Sequence, residues 1–248
     1  MEYQDRSYRQ TFRQDDLVHF QVIVGQTDLD IGVRRERFSP EMARWVEELV
    51  RRQREFLEKY IEEHPAFLHA LSPCELKPGA PSMAVEMAGA ARLAGVGPMA
   101  AVAGAFAQYV GRALSRRTKD VIVENGGDIY LRSTRQRRVG IFAGKSPLSN
   151  RLALEIRPEH TPLAICTSSG TVGPSLSFGR ADAAVVLSPS APLADAVATA
   201  AGNMVQEREE VQKAAEFALS IKGITGAVII KADRLAACGE LKLVPLVT

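Results

Sequence analysis

The sequence predicts an α+β protein in which antiparallel sheets carry helices on one face and one such unit is used twice. Three observations lead there. Apolar periodicity runs strands, helices, strands, and then strands, helices, strands again. The strand-like runs are short and separated by tight-turn chemistry, as antiparallel pairing requires. The helices are rich in Ala and Gly, which lets their backbones approach a sheet or a ligand closely. No residue-level repeat accompanies the repeated order. The two packed halves of this single domain, roughly 1–135 and 136–248, therefore rest on element order.

Each element has a local reason. Residues 17–24 and 29–36 read as a hairpin around the turn Gly25–Asp28. Ser39 is placed to cap a helix with Pro40 at its first position. Met42, Trp45, Val46, Leu49, Val50, Phe56, Leu57, Tyr60 and Ile61 then recur at helical spacing, and Pro65 ends the run. A Pro-rich connector spans 72–81, and two Ala-rich helices follow at 82–94 and 98–115, split by Gly95-Val96-Gly97-Pro98. Strands are expected at 120–124, 128–132, 138–143, 151–157, 163–167 and 183–188. Helices return at 192–206 and 208–222, and two strands close the chain at 226–231 and 240–246.

Composition bounds the function classes. With 46% hydrophobic and 24% charged residues, the chain folds without staples. A net charge of +2 gives no argument for a nucleic-acid or membrane partner. The basic residues Arg116, Arg117, Lys119, Arg132, Arg135, Arg137 and Arg138 read as solvated turns in preference to an RNA surface. Three cysteines (Cys74, Cys166, Cys238) form no zinc spacing and favour a reducing compartment, here the cytoplasm. Met1 to Asp16 lacks the apolar run of a signal peptide. Leu93–Gly111 is uncharged over 19 residues, but its six Ala and four Gly suit a buried helix better than a membrane span.

Three constellations carry chemical potential. Asn125-Gly126-Gly127-Asp128 lies between β-branched runs and forms a tight hairpin. It is either a turn alone, or a place where the backbone meets a ligand and Asn125 and Asp128 orient it. Thr167-Ser168-Ser169-Gly170 follows an apolar run, and its hydroxyls, amides and glycine suit a pyrophosphate as well as a plain surface loop. Cys166, just before it, reads as a buried strand residue more readily than as a nucleophile paired with His19, His64, His69 or His160. Asp195 and Thr199 stand four apart on an alanine-rich helix opened by Pro192. Two hard oxygen groups at that spacing fit Mg²⁺, which needs only one or two protein ligands. Equally, Asp195 could answer the helix dipole while Thr199 bonds back to its own helix.

In this order, Val102-Ala103-Gly104-Ala105-Phe106, Asn125-Gly126-Gly127-Asp128, Thr167-Ser168-Ser169-Gly170 and Ala194-Asp195-Ala196-Val197-Ala198-Thr199 resemble the ApbE family, the FAD:protein FMN transferases. Leu176 to Ala183 adds a likeness to a smaller, uncharacterised branch of ApbE-like proteins. The resemblance implies a tandem duplication of T-fold-like units with ligand held between halves. It implies Mg²⁺ bound by Asp195, Thr199 and the carbonyl of Ala103. It also implies an FAD pocket lined by Asn125, Gly126, Gly127, Asp128, Thr167, Ser168, Ser169 and Gly170. The expected function is binding of FAD or a related nucleotide through Mg²⁺, with cleavage to transfer FMN to an acceptor protein or to release AMP. The alternative is a non-catalytic flavin- or nucleotide-binding protein on the same scaffold. Family transferases carry Lys-Gly where this chain has Gly104-Ala105, and a histidine segment where it has Gly173-Pro174-Ser175-Leu176-Ser177. No catalytic residue is assigned on this resemblance.

Overall fold

The computed structural model describes Arg9, residues 14–172 and residues 177–246. Gly173, Pro174, Ser175 and Leu176, part of the segment where the family has its histidine, lie outside the described residues.

Strands β1 (Leu17–Val24) and β2 (Thr27–Arg34) pair antiparallel along their whole length, so the turn is two residues shorter than expected. Helix α1 (Pro40–Glu63) begins where the sequence places it, because the Ser39 hydroxyl accepts the Met42 amide. The short α2 (Ala66–His69), α3 (Ser82–Ala94), a 3-10 turn Pro98–Ala101 and α4 (Val102–Leu114) follow. The pair α3 and α4 bends by 104° at that turn, and no single helix among the described residues is long and apolar enough to cross a membrane. Strands β3 (Val121–Asn125), β4 (Asp128–Arg132), β5 (Arg137–Gly140), β6 (Leu152–Ile156), β7 (Leu163–Ser168) and β8 (Ala183–Ser188) come next. The chain ends through α5 (Ala191–Asn203), α6 (Val211–Ser220), β9 (Gly226–Lys231), β10 (Arg234–Gly239) and β11 (Leu243–Pro245).

Among the described residues, eight strands form one antiparallel sheet in the order β1-β2-β3-β4-β7-β8-β9-β10. The order strand, strand, helices, strand, strand occurs twice, and β4 and β7 join the two runs at the centre. Period-2 alternation assigns each strand's side chains to one of two cores. Val121, Val123, Tyr130, Ala164, Cys166, Ala184, Val186, Ala227 and Ile229 face the helices. Leu131, Leu163, Ile165, Ala183, Val185, Leu187, Val228 and Ile230 face a second layer. Each of the larger aliphatic side chains so buried contributes about 1.5–3 kcal/mol.

That second layer is a departure from expectation. A small sheet in the order β11-β6-β5 covers the face opposite the helices. The terminal strand expected at 240–246 is β11 of this sheet, and β10 was not anticipated because Arg234-Leu-Ala-Ala-Cys-Gly lacks clean alternation on its exposed edge. Phe56 was expected on the buried face of α1; it is 51% exposed beneath the Arg52 guanidinium, and Gln53 is buried instead.

The basic turns are not simply solvated. Arg137 is 4% exposed and pairs with Asp16 and Asp120. Arg117 stacks on Trp45 at 3.7 Å, and Arg132 donates to the Ser115 carbonyl. Asp120 also accepts from the Ser133 hydroxyl at 2.9 Å, the Thr134 amide at 2.7 Å and Arg34. Burial alone would raise the Asp120 carboxyl, but the Thr134 amide, the Ser133 hydroxyl and Arg34 outweigh it and hold it at about 2. The unfolded value lies near 3.8, so this stabilisation is complete above about pH 4 and is lost as pH falls toward 2. We expect Asp120→Asn to lower stability at pH 7 by about 2–4 kcal/mol and to flatten the wild-type decline below pH 4. Urea midpoints across pH measure both, and an unchanged midpoint would contradict the assignment.

Candidate functional site

The first turn of α4 leaves amides without partners inside its own helix. Asp195, from α5, supplies one: its Oδ2 accepts the Gly104 amide at 2.8 Å, and its carboxylate also accepts from Ala103. The two helices can cross there because position 104 has no side chain. A Cβ on Gly104 would lie 2.5 Å from the Ala191 carbonyl oxygen and 3.0 Å from the Asp195 Cβ. One turn further along α4, the buried Gln108 accepts the Ala191 amide at 2.9 Å. Asn125, at the end of β3, donates its side-chain amide to the Ala103 carbonyl at 3.0 Å. Ala103, Asn125 and Asp195 therefore meet at the start of α4.

The turn after Asn125 has φ +66° at Gly126 and +105° at Gly127, conformations that favour glycine. The Gly127 amide donates to Glu124 Oε1 at 2.7 Å, and Glu124 is itself paired with Arg9. Asp128 Oδ1 accepts the Thr167 amide at 3.2 Å across the β4–β7 pair. This ties the second expected segment to the first.

Asp128 and Asp195 are buried, and among the described residues neither has a Lys or Arg partner. Burial drives the Asp195 carboxyl up to about 7 against the pull of the Gly104 and Ala103 amides. Burial first, and then the Asp195 charge, drives Asp128 well above the carboxylate range, against hydrogen bonds from Cys166 and Thr167. Cys166 is fully buried; burial first and then these two carboxylates push its thiol up. A thiol in that state is a poor nucleophile. Two of the candidate histidine partners are engaged elsewhere: His19 bonds Asp30 at 2.8 Å and His64 packs edge-on to Tyr60.

The other expected residues divide. The hydroxyls of Thr167, Ser168 and Thr199 have no hydrogen-bond partner among the described residues. Thr199 is half-buried one turn beyond Asp195 and does not bond back to its own helix. Ser169 turns its hydroxyl to the amides of Thr171 and Val172, and the Gly170 amide donates to the Ala181 carbonyl, so neither offers a free backbone cradle. Among the described residues no three His, Cys, Asp or Glu side chains group so as to hold a metal by themselves.

Sequence reasoning missed a glycine stack behind the site. A Cβ on Gly170 would lie 2.0 Å from the Gly179 carbonyl oxygen, and one on Gly179 would lie 1.9 Å from that of Gly202. This backbone contact presses the 167–170 segment, through 179, onto the end of α5. Asp182 and Asn203 clamp the same region: Asp182 accepts from Thr171 and the Ala232 amide, and Asn203 accepts the Phe178 amide. Paired glycines at a strand end and a helix end were the available signal, but their partners are distant in sequence.

Residues 9–234 match the family described as "AbpE bacteria". The chain belongs to this family. It is 45% identical over 186 residues to a UPF0280 protein of Methanocella arvoryzae, covering 75% of this chain and 76% of the relative. A UPF0280 protein of Methanococcus aeolicus is 34% identical over 230 residues, 91% of each chain. Among solved structures, flavin transferase ApbE from Vibrio cholerae superposes with a TM-score of 0.52 at 15% identity, covering 90% of this chain and 96% of that one. The apo flavinyl transferase ApbE of Pseudomonas stutzeri gives 0.53 at 13% identity, with 92% and 95% covered. The fold is thus ApbE-like, an α+β architecture with antiparallel sheets and helices.

The raised Asp195 carboxyl fixes a pH dependence. A group held at about 7 in the folded chain and at 3.8 in the unfolded one favours folding at low pH, and that advantage disappears as pH rises from about 4 to 7. Asparagine at 195 keeps an acceptor for the amides and does not titrate. We expect metal-free wild type to lose about 2–4 kcal/mol relative to Asp195→Asn between pH 4 and 8. Parallel unfolding curves across that range would refute the buried-carboxyl assignment.

Proposed function

We propose that the chain binds FAD or a related nucleotide through Mg²⁺, at the place where α4, α5, the β3–β4 turn and the end of β7 converge. One observation carries this reading: two buried carboxylates, Asp128 and Asp195, lie together without a basic partner among the described residues. By contrast, two other buried acids, Asp120 and Glu124, are paired with arginine. A bound cation would supply the missing positive charge, and hard oxygen donors suit Mg²⁺. The residues present fit such an ion: the Asp195 carboxylate, the Thr199 hydroxyl and the Ala103 carbonyl. When bound, Mg²⁺ neutralises a pyrophosphate and stabilises charge that develops on phosphoryl transfer.

The chain's own residues have separable tasks in this reading. Asp195 fixes the start of α4 and holds the negative charge that draws a cation in. Asn125 holds the Ala103 carbonyl through its amide. Asp128 orders the end of β7 by accepting the Thr167 amide, and the next residue, Ser168, has its hydroxyl on the helix side for ligand oxygens. The two solved structures of the same fold are flavin transferases. Transfer of FMN to an acceptor protein, or release of AMP, is the corresponding reaction here.

A second reading is favoured by the chemistry of the described site residues. Carboxylates, hydroxyls and amides gather there, while His19 and His64 are engaged elsewhere. A protein that holds the nucleotide without cleaving it needs no base.

Titration of FAD with purified protein, followed by flavin fluorescence anisotropy with and without Mg²⁺, tests the binding. We expect Mg²⁺-dependent binding weakened at least about tenfold by Asp195→Ala and several-fold by Thr199→Val. AMP assayed in the same mixtures separates cleavage from holding. Absence of binding under both conditions would overturn the proposal.

A further inference from the structure

Helices α1, α3 and α4 enclose a groove of about 430 Å³. That volume falls within the range of small-molecule sites, roughly 300–1,000 Å³. Its floor is α4 and the turn after it, where Ala105, Tyr109, Arg112 and Arg116 recur at helical spacing as one stripe. Small side chains leave the space open: Ala105 and Ala113 line it where larger residues would fill it. Trp45 and Leu49 of α1 form one wall, and Met83 of α3 the other. The groove is separate from the carboxylate site. Arg112 stands nine residues beyond Ala103, about 13 Å along the helix.

Charge distinguishes this groove from an ordinary gap between helices. Arg112, Arg116 and Arg117 line it, against one acid, Glu86. Glu86 approaches Arg112 only to 3.9 Å, and it also accepts from Gln108 at 3.2 Å. Arg116 and Arg117 have no acidic partner among the described residues. On the neighbouring α1, by comparison, Arg44, Arg51 and Arg54 each pair with a glutamate of their own helix. Arg117 is held instead over the Trp45 ring, 3.7 Å from its centroid. A guanidinium stacked on an indole keeps its donors at its edge, and its second face can take another planar ring.

The two halves of the lining ask for different things of a ligand. A bare inorganic anion would pair with the arginines and leave Trp45, Leu49 and Met83 facing water. An uncharged hydrophobe would cover those walls and strip water from the arginines without pairing them, which is costly. A molecule that is apolar at one end and anionic at the other satisfies both. We propose that the groove binds a small aromatic anion. Its planar body lies between Trp45, Met83 and Tyr109, and its carboxylate, sulfonate or phosphate group faces Arg112 and Arg116.

The test uses two probes of similar shape, 8-anilinonaphthalene-1-sulfonate and the uncharged N-phenyl-1-naphthylamine. Each is titrated into the full-length protein by fluorescence, with EDTA present so that no divalent cation takes part. We expect one equivalent of the sulfonate to bind, at least about tenfold more tightly than the neutral probe. Arg112 and Arg116 are exposed, so Arg112→Gln with Arg116→Gln should leave thermal unfolding unchanged. The double change should remove most of the preference for the sulfonate and hold the neutral probe within about twofold. Ala113→Leu fills the groove at little cost in helix propensity and should weaken both probes at least about fivefold. Absence of sulfonate binding would overturn the proposal. So would equal affinity for the two probes, or binding indifferent either to the arginine changes or to Ala113→Leu.

Discussion

A Cβ on Gly104 would lie 2.5 Å from the Ala191 carbonyl oxygen, so α4 and α5 can cross at this point only because α4 carries no side chain there. The rest of the site depends on that crossing. It brings the free amides of the first turn of α4 to the Asp195 carboxylate, which caps a helix it does not belong to. It also sets Gln108 against the Ala191 amide, so the contact is held by hydrogen bonds on two successive turns. Because α5 lies on β7 and β8, the same crossing fixes where the first turn of α4 sits over the sheet, and hence where Asn125 finds the Ala103 carbonyl. A wider separation would leave those amides and the carboxylate unsatisfied inside the protein, at a cost of about 1–3 kcal/mol for each buried group.

Two buried acids of this chain, Asp120 and Asp195, are treated in opposite ways. Asp120 and Asp195 are similarly inaccessible, yet their carboxyls move in opposite directions, one to about 2 and the other to about 7. Burial raises both. Around Asp120 the Thr134 amide, the Ser133 hydroxyl and Arg34 win; around Asp195 two amides do not. The chain has 31 basic residues, and several are spent on other acids, with Arg9 serving both Asp28 and Glu124. Leaving Asp128 and Asp195 without one costs stability whenever both are ionised. Arrangements that oppose stability in this way are found where binding or chemistry needs them.

What the sequence made legible was local. The Ser39 cap, the Asn125-Gly126 hairpin and the alternation of Val121 to Val123 are written in neighbouring residues, and α1, β3 and β4 begin within a residue of where these signals put them. The small sheet was not legible, because β5, β6 and β11 come together across about half the chain and none has a strong pattern alone. Arg137 was misread for the same reason: its partners Asp16 and Asp120 are remote in sequence, so a buried ion-pair cluster looked like solvated turn. Within the site, the Asp195 and Asp128 environments were suggested by residue type, while the contacts of Gly104 and the stack of Gly170, Gly179 and Gly202 needed three dimensions. A glycine announces that something comes close and does not say what.

The distribution of donors bears on what kind of ligand the site suits. A bare phosphate is held by backbone amides pointing outward, as at a helix N-terminus or a glycine-rich loop. Here the amides that sequence would nominate are turned inward. Those of Ala103 and Gly104 go to Asp195, that of Gly127 to Glu124, that of Thr167 to Asp128 and that of Gly170 to the Ala181 carbonyl. On the helix side of the sheet, the hydroxyls of Ser168 and Thr199 stand with the two carboxyls, while Thr167 shares the opposite face with Val185. An ionised carboxylate repels an anion approaching alone, and free hydroxyls can donate to that anion once a divalent cation offsets the charge. In the proposed reading it is therefore the carboxylates, more than the hydroxyls, that call for a ligand arriving with its counter-ion.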